Sequence, residues 1–451
     1  MKILLVWPKA RTDPDWGGDL GAIAEPLALE YLAAGLLQDN HTVKILDLRL
    51  HPDGLVNTLS EYLPDVLGVT SFSMHVSAAL KIMQTAKSLL PNILTVVGGH
   101  HATIYPEDFF SPCTDIVVKG EGIFTLKEIV LNKANSGDFD TVSGIFFRDE
   151  NGCFTETAKA VSRTLDELPF PNRTLTEADR GSYFIDWMMP IALLRTSLGC
   201  PYRCSFCSLW KVAEGKYFKR SIEKVLEEVK LIKEDFVFLI DDEAFIDSNR
   251  MLEMALLFKK YNIKKRFFSY ARIDTILRSR EVLEAWKEVG LERLFVGIDA
   301  FNAKDLKEYN KKLSVSQIED GLKLAQELDI EIFAQFVVNT NYTEKEFTQL
   351  VRFVEHFKID YPTFTILTPL PGTELLKPDF SNVTKKQPNG RPDWDYFDTQ
   401  SLVMETKISP EKFRNLYRGL FKIFANSYSQ FLIHKPKVIN PPTTKPQKAY
   451  D

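Results

Sequence analysis

Short apolar segments alternate with longer amphipathic segments along most of the chain. In the first part of the sequence, apolar segments lie at 2–6, 42–46, 66–69, 94–97 and 116–118. Segments with helical periodicity lie between them, near 26–38, 77–89 and 125–132. This rhythm is typical of a parallel sheet covered by helices on both faces. It predicts an α/β domain at residues 1–140 with a flavodoxin-like doubly wound fold, which binds ligands outside the carboxyl ends of its strands.

The same alternation returns over residues 190–376. Apolar segments lie at 191–194, 237–240, 267–270, 293–296, 332–337 and 363–367, separated by helical segments near 221–232, 250–261, 280–289, 315–328 and 344–357. Six strand–helix repeats predict a partial (β/α)6 barrel better than a closed barrel of eight units. The functional site of such a barrel is expected at the carboxyl ends of its strands.

The other segments have a weaker pattern. Residues 141–189 are predicted to form a hairpin and a linker, because the strand-like segments 142–148 and 153–157 flank the tight-turn sequence Asn151-Gly152. Residues 377–451 are predicted to form a small C-terminal extension, helical over 410–431, with a loose tail over 435–451. The aromatic stripe of that helix favours packing over substrate binding.

Composition and charge narrow the class of protein. The chain has 451 residues, of which 45% are hydrophobic, and a formal net charge of −5. This balance favours a soluble globular protein and disfavours nucleic acid as a partner. The apolar start of the chain ends at Pro8, which predicts a strand and not a signal peptide, and no segment reaches the length of a membrane span. The few cysteines predict no disulfide framework and a cytoplasmic location.

Three of the five cysteines, Cys200, Cys204 and Cys207, lie within eight residues of one another. They follow the first predicted strand of the barrel, so their thiolates can converge on one metal centre. Structural zinc prefers four ligands, usually in two separated pairs. A cubane iron–sulfur cluster with three cysteine ligands keeps one iron open for a substrate or cofactor. The spacing therefore favours such a cluster, and the alternative is a group of loop cysteines with zinc or no metal.

Glycines and hydroxyl residues follow three predicted strands of the first domain. The loops are Thr70-Ser71-Phe72-Ser73-Met74-His75, Gly98-Gly99-His100-His101-Ala102-Thr103 and Lys119-Gly120-Glu121-Gly122. Glycine lets a backbone approach a ligand closely, and hydroxyls beside it can bind amide or phosphate groups. Each loop on its own is more typical of an ordinary turn.

The C-x3-C-x2-C spacing, with Phe206 directly before the last cysteine, resembles the radical S-adenosylmethionine (SAM) superfamily. The resemblance implies that Cys200, Cys204 and Cys207 are the catalytic cysteines and hold a [4Fe-4S] cluster, with Phe206 among the cofactor-binding residues. It also implies that SAM binds the open iron and is cleaved to a 5′-deoxyadenosyl radical. The electron is then expected from an external donor of the flavodoxin or ferredoxin type.

Taken together, the three loops resemble the cobalamin-binding domain of one radical SAM subgroup, the cobalamin-dependent methylases. That subgroup has a Gly-Gly-x-His-x-Thr-like loop and a Gly-Glu-Gly loop. The resemblance implies cobalamin with its nucleotide tail threaded into the sheet edge. The positions assigned to its pocket are Ser71, Ser73, Gly98, Gly99, His100, Thr103, Gly120, Glu121 and Gly122. The chain lacks the Asp-x-His-x-x-Gly signature that supplies a histidine to cobalt in methionine synthase, and His75 is interpreted as an ordinary polar residue.

Charged residues at strand ends of the barrel are assigned to SAM by the same resemblance. Glu243, in a partial match to a Gly-Gly-Glu-like motif, is expected to bind the amino group of SAM. Arg272 is expected to pair with its carboxylate and Asp299 to contact its ribose. The alternative for each residue is a solvated loop charge.

These features predict an enzyme that methylates an unactivated carbon with a 5′-deoxyadenosyl radical and methylcobalamin. One alternative is related chemistry without methyl transfer, such as ring formation, ring contraction or oxidative cyclisation. Another is a cluster-bearing sensor that does not turn over SAM. The substrate class stays open among small molecules, lipids and peptides.

Overall fold

The computed structural model describes residues 1–11, 22–135, 137–161, 163–359 and 361–424. Its contacts divide the chain into two units. The first includes Pro26–Arg180 and Asp393–Asp398, and the second includes Gly181–Pro392. The predicted loose tail, 435–451, and the end of the predicted helix 410–431 lie outside the described residues. No helix in the described ranges is long and apolar enough to cross a membrane.

Seven strands in the described part of the chain form the sheet of the first unit. They are β1 (Lys2–Trp7), β2 (Thr42–Asp47), β3 (Val66–Thr70), β4 (Leu94–Gly98), β5 (Ile116–Val118), β6 (Ile145–Arg148) and β7 (Phe154–Glu156). Their order is β2-β1-β3-β4-β5-β6-β7, and the first five strands are parallel. This is the flavodoxin-like order, which confirms the predicted fold. The switch in strand order lies between β1 and β3.

Four α-helices of nine or more residues cover this sheet in the described residues. They are α1 (Leu27–Gln38), α2 (Gly54–Tyr62), α3 (Val76–Leu89) and α4 (Gly122–Ala134). Ile3, Leu4 and Leu5 of β1 are fully buried, as expected for a strand covered on both faces. The sequence pattern did not predict α2. That helix buries only Thr58 and Leu59, so its periodic apolar signal is weak.

The hairpin of β6 and β7 is part of the first sheet. β6 pairs antiparallel with β5, with Ile116 opposite Phe147, and β7 pairs antiparallel with β6. The sheet of the first unit therefore continues beyond residue 140, where the sequence analysis ends the first domain. The turn sequence predicted the hairpin, but the pairing of β6 with β5 depends on a contact that is distant along the chain.

Six parallel strands form the main sheet of the second unit in the described residues. They are β8 (Ile191–Leu194), β9 (Phe236–Leu239), β10 (Arg266–Ala271), β11 (Leu291–Asp299), β12 (Glu331–Val338) and β13 (Tyr361–Ile366). Consecutive strands are neighbours from β8 to β13. The helices between them are α5 (Ile222–Leu231), α6 (Ser248–Lys260), α7 (Arg280–Glu288), α8 (Val315–Glu327) and α9 (Glu344–His356). This is the predicted partial barrel.

Shorter elements complete the described architecture. The two-residue strands Ala22–Ile23 and Phe184–Ile185 pair with each other, as do Ser197–Leu198 and Phe218–Lys219. The short helices are His100–Ile104, Leu209–Val212, Ile273–Leu277 and Ala303–Glu308. The last described helix, α10 (Pro410–Ile423), buries Phe413, Tyr417, Leu420 and Phe421, which agrees with a packing role for its aromatic stripe.

Candidate active site

The three clustered cysteines lie on the loop that follows β8. Cys204 is buried, and Cys200 and Cys207 are half-buried. The N–H of Cys207 donates to the carbonyl oxygen of Cys204 at 3.1 Å, which closes a tight turn between the two residues. Burial raises the pKa of Cys200 to about 11 and that of Cys207 to about 12. Because the thiolate is the form that binds metal, a metal bound here would have to stabilise the charge that burial disfavours.

The grouping of the three thiols bears on the kind of metal centre that they could hold. No group of three or more His, Cys, Asp or Glu side chains among the described residues is arranged around one metal ion. A [4Fe-4S] cluster instead takes each thiolate on a different iron, so its ligands stand further apart. The charges of Cys200 and Cys204 both act on the thiol of Cys207, which places the three sulfurs in one electrostatic environment.

Two aspartates hold the start of this loop from the end of β9. Asp241 is fully buried and accepts hydrogen bonds from the N–H groups of Thr196 (2.6 Å) and Ser197 (2.8 Å). Asp242 accepts one from the N–H of Gly199 at 2.7 Å. Burial raises the pKa of both carboxyl groups, and these hydrogen bonds oppose that shift. The resemblance leads us to expect glycines at these two positions. Here the aspartate side chains hold the cysteine loop in place.

Gly199 is required by the backbone of the same loop. Its φ is +91°, in the left-handed region. A Cβ at this position would lie 2.2 Å from the carbonyl oxygen of Lys216. No residue with a side chain fits there without movement of the backbone. The backbone conformation is therefore fixed where the loop leads into the cysteines.

The residues between the last two cysteines are fixed from the other side. Ser205 donates its N–H to the carbonyl oxygen of Tyr309 at 3.0 Å and its hydroxyl to that of Glu308 at 3.0 Å. The ring of Phe206 packs edge-on against Tyr309, with the centroids 5.4 Å apart. The described contact of Phe206 is thus with the protein, and its assignment to a cofactor stays a prediction.

Arg272 reaches the cysteine loop from the end of β10. Its NH1 group lies 3.7 Å from the sulfur of Cys204, its Nε donates to Asp274 at 2.9 Å, and its NH2 donates to the carbonyl oxygen of Lys311 at 2.9 Å. The guanidinium also lies over the ring of Tyr202, 3.7 Å from its centroid. Several of the N–H groups of this guanidinium are therefore already used in contacts within the protein. The predicted pairing with SAM's carboxylate stays a prediction, and the contact with Cys204 was not predicted.

Glu243 and Asp299 are both buried near these residues. Burial raises the pKa of Glu243 to about 7, although the hydroxyl of Thr275 donates to its carboxylate at 2.9 Å. Asp299, with a φ of +62°, accepts a hydrogen bond from the Nζ of Lys311. Glu243 is thus a buried acceptor, as the amino group of SAM requires, whereas Asp299 is engaged by a lysine. Their contacts with SAM stay predictions.

Aromatic side chains line the sheet face opposite the helices of the second unit. Phe238 stacks on Phe268 at 4.5 Å, and Tyr270 lies 4.9 Å from both Phe238 and Phe295. Phe295 stacks in turn on Phe333 at 5.1 Å. We call these five residues the aromatic belt. Tyr270, Phe295 and Phe333 are half-buried, whereas residues on the helix side of the same strands are buried. These residues were not among the predicted site residues, although the spacing by two of Phe268 and Tyr270 along β10 marks one face of that strand.

In the first unit, the loops after β3, β4 and β5 bond to one another through backbone groups. The N–H of Ser71 donates to Gly98 at 2.9 Å, and the N–H of Thr103 donates to Gly99 at 3.0 Å. The N–H of Gly120 donates to the hydroxyl of Thr103 at 3.0 Å. The structure therefore brings these three predicted loops together. We call them the strand-end cradle.

Two glycines give the cradle its shape. Gly99 has φ +104° and ψ −168°, and a Cβ there would lie 2.9 Å from the backbone nitrogen of Ser71. Gly120 has φ +84°, with open space where its Cβ would lie. Beside them the ring of Phe72 is 43% exposed, although it is apolar. A cradle with close backbone approach, open space and an exposed flat ring fits a large planar cofactor such as a corrin.

The histidines near the cradle have different environments. Burial lowers the pKa of His75 and of His100 to about 4, so both are neutral at neutral pH. His75 Nδ1 faces the N–H of Phe72 at 3.4 Å, and His100 stacks on the ring of Phe72 at 6.0 Å. His101 is fully buried and bonds to Ser73. Counted from Gly98, the Gly-Gly-x-His-x-Thr spacing places the motif's histidine at 101. The assignment of His100 to the cobalamin pocket stays a prediction.

Comparisons with known proteins agree with both regions. Residues 194–354 match the family model of the radical SAM superfamily, and residues 16–130 match that of the B12 binding domain. The chain is 29% identical to a hopanoid C-3 methylase from Methylococcus capsulatus, over 86% of this chain and 74% of that protein. It is 28% identical to an uncharacterized methyltransferase from Pyrococcus horikoshii, over 97% of this chain and 94% of that protein.

A relative with a different printed activity is also similar. The anaerobic magnesium-protoporphyrin IX monomethyl ester cyclase of Cereibacter sphaeroides is 25% identical over 84% of this chain and 63% of that protein. Among solved structures, the cobalamin-dependent SAM radical enzyme OxsB, with aqua-cobalamin and SAM bound, matches with a TM-score of 0.71. It shares 17% identity and covers 96% of this chain and 72% of that chain, which supports the fold.

Proposed function

Because this chain belongs to the radical SAM enzymes that carry a cobalamin-binding domain, we propose that it is a methylase acting on an unactivated carbon. The enzyme uses a [4Fe-4S] cluster, SAM and cobalamin. The net reaction replaces a substrate C–H by C–CH3. With two electrons from an external donor, one SAM is cleaved to methionine and 5′-deoxyadenosine, and a second donates its methyl group and leaves as S-adenosylhomocysteine.

The observation that carries the proposal is the pair of sites in one chain. A three-cysteine loop ends the first strand of the barrel, and a glycine cradle ends the strands of a flavodoxin-like sheet. Relatives named methylase or methyltransferase match most of the chain. The cyclase relative makes non-methylating radical chemistry the second candidate.

When bound, the cluster supplies an electron to SAM and the cobalamin supplies a methyl group. The protein's own residues hold and orient these groups. Cys200, Cys204 and Cys207 are the proposed cluster ligands. Asp241 and Asp242 keep their loop in place through its backbone N–H groups.

Other residues have proposed roles toward the two cofactors. Glu243 is the proposed acceptor for SAM's amino group, and Asp299 is proposed at its ribose. The cobalamin pocket is proposed at the strand-end cradle. Its members are Ser71, Ser73, Gly98, Gly99, His100, Thr103, Gly120, Glu121 and Gly122.

The aromatic belt is the feature that supports the proposal of an apolar substrate. Its five side chains include no carboxylate, amine or imidazole, and the polar Gln335 beside it on the same sheet face bonds to Thr365 at 3.2 Å. Such a wall offers little to a charged substrate. Burial raises the pKa of its one ionisable group, the Tyr270 phenol, to about 12, so the wall offers neither a base nor an effective acid for proton transfer near neutral pH. Hydrogen abstraction by a radical needs neither, which is why an unactivated carbon suits this surface.

Labelled SAM tests the proposal. The anaerobic enzyme, with its cluster and cobalamin loaded and dithionite as reductant, is incubated with an apolar metabolite extract and SAM that carries a CD3 group. We expect one extract component to gain the label, with 5′-deoxyadenosine and S-adenosylhomocysteine formed in equal amounts. Substrate consumption that yields 5′-deoxyadenosine without label transfer would establish the second candidate instead. A Cys204→Ala variant provides the background for both products.

A further inference from the structure

Ser73, His101 and Asp108 form a hydrogen-bonded line inside the first unit. His101 Nδ1 lies 3.0 Å from the hydroxyl of Ser73, and His101 Nε2 lies 2.9 Å from a carboxylate oxygen of Asp108. Ser73 begins the turn after β3, and His101 lies in the short helix after β4. The line therefore joins two loops of the strand-end cradle and ends at Ser73.

With Asp108 as a carboxylate and His101 as a neutral imidazole, both hydrogen bonds have one direction. An ionised carboxylate only accepts, so His101 Nε2 carries the hydrogen that Asp108 receives. In the neutral ring Nδ1 then has a lone pair and accepts the hydroxyl hydrogen of Ser73. Ser73 has one hydrogen to give, and it is used. Its oxygen therefore presents only lone pairs to any further partner.

Packing prevents the ring from turning away from this arrangement. His101 has no exposed surface. The edge of Trp394 lies against it with 4.9 Å between ring centroids, and Phe109 lies edge-on at 5.8 Å. Both residues belong to the first unit. A flip of the imidazole would place a carbon opposite Asp108 and break the line, so the fold holds one orientation.

We propose that Ser73 is a hydrogen-bond acceptor for a carboxamide N–H of the corrin, kept in that role by His101 and Asp108. The inference rests on the proposed function, because it needs the cradle to bind cobalamin. The rim of cobalamin carries primary carboxamides, whose NH2 groups donate. An oxygen with only lone pairs suits such a donor and repels a phosphate or a carbonyl oxygen. His101 and Asp108 are positioning residues in this scheme.

Two corrinoids without the nucleotide tail separate this role from general binding. Cobinamide keeps the carboxamides, and heptamethyl cobyrinate has methyl esters in place of carboxylic amides, so it lacks those N–H donors. Each is titrated by absorbance into the full chain with its cluster loaded. We expect Ser73→Ala to weaken cobinamide binding about 3- to 10-fold, the typical effect of one lost hydrogen bond, and to leave the ester unchanged. Ser73→Thr, which keeps a hydroxyl, should restore most of the affinity.

Matched controls and a double variant complete the test. Ser88→Ala removes a hydroxyl that bonds within α3, and His51→Phe removes an exposed histidine–aspartate contact, so neither should change binding. His101→Phe should weaken cobinamide binding about as much as Ser73→Ala does. The double variant should weaken it no further, because the effects of residues that act as one unit are not additive. Iron content and thermal melting check folding; if His101→Phe does not fold, the Ser73 variants decide alone.

The outcomes distinguish the inference from the proposed function. Equal loss for both corrinoids in Ser73→Ala, or no loss for either, would overturn the acceptor role. Additive losses in the double variant would overturn the positioning role of His101. Binding of neither corrinoid by the wild-type protein would overturn the proposed function, and this inference with it.

Discussion

The cysteine loop and the strand-end cradle are built in different ways. Buried charged side chains from two neighbouring strands contact the cysteine loop, with Asp241 after β9 and Arg272 after β10. The cradle is held mainly by backbone N–H groups and by the left-handed conformation of Gly99.

The difference fits the two cofactors. A cluster whose charge changes needs thiolates stabilised in a buried site, where charges act strongly because the local dielectric is low. Arg272 favours the charged form of Cys200, whereas Glu243 disfavours it and Asp242 disfavours that of Cys207. A corrin is large and planar, so its affinity is the sum of many weak contacts that depend on shape. We therefore expect substitutions at the cysteine loop to act in an all-or-none manner and substitutions at the cradle to act gradually.

The largest expected effect is that of Cys204→Ser, which removes the most buried thiol of the three. We expect iron content to fall sharply and 5′-deoxyadenosine formation to fall to the level without enzyme, while cobalamin binding is kept. Iron analysis and chromatography of the products measure this. Cys113→Ser, a thiol of the first unit that lies 3.6 Å from the carbonyl oxygen of Leu80, should leave both unchanged. Cleavage of SAM by the Cys204→Ser protein would contradict the proposed cluster.

The next effect concerns Glu243, whose pKa burial raises to about 7. The folded protein then keeps a proton on this group at pH values where the unfolded chain has released it. Its contribution to the free energy of unfolding is full below about pH 4.5 and is lost progressively as the pH rises from there through about 7, by about 3 kcal/mol in total. Glu243→Gln is neutral in both states and should remove that part of the pH dependence. Denaturant titrations at several pH values would show it; identical profiles would contradict it.

A smaller effect is expected for Arg272→Lys. Lysine keeps the charge but cannot reach Cys204, Asp274 and the carbonyl oxygen of Lys311 together. Loss of such support around a metal typically costs about 10- to 100-fold in affinity. We expect faster loss of iron to a chelator by about that factor. Arg278→Lys is the matched control, because that exposed guanidinium bonds only weakly to Ile246 at 3.3 Å. Equal rates of iron loss in the two variants would show that Arg272 does not support the cluster.

The smallest effect in this series is that of Gly99→Ala on the cradle. Its φ of +104° and ψ of −168° lie in a region used almost only by glycine, at a cost of about 1–3 kcal/mol for alanine. We expect cobalamin affinity to fall roughly 10-fold with the iron content unchanged. Gly152→Ala also has a positive φ, but its Cβ would meet no atom within 4 Å, and it lies in the hairpin turn. If Gly152→Ala weakened cobalamin binding equally, the loss of affinity in Gly99→Ala would reflect lower protein stability and not a change in the cradle.

Local patterns determined much of this protein. Each predicted barrel strand and its following helix was found within a few residues of its predicted bounds, because apolar periodicity is a property of neighbouring residues. The cysteine spacing and the three strand-end loops of the cradle were also visible, since each motif lies within a few consecutive positions. The pattern failed for α2, which buries too little apolar surface to produce a period.

The tertiary structure decided which distant groups meet. Asp241 binds N–H groups 44 and 45 residues earlier in the chain, and Arg272 lies at a cysteine 68 residues away. The choice of His101 over His100 as the partner of Ser73 depends on the turn of one short helix. A sequence pattern records the face on which a residue lies, but its partner is set by how strands from separate parts of the chain are brought side by side.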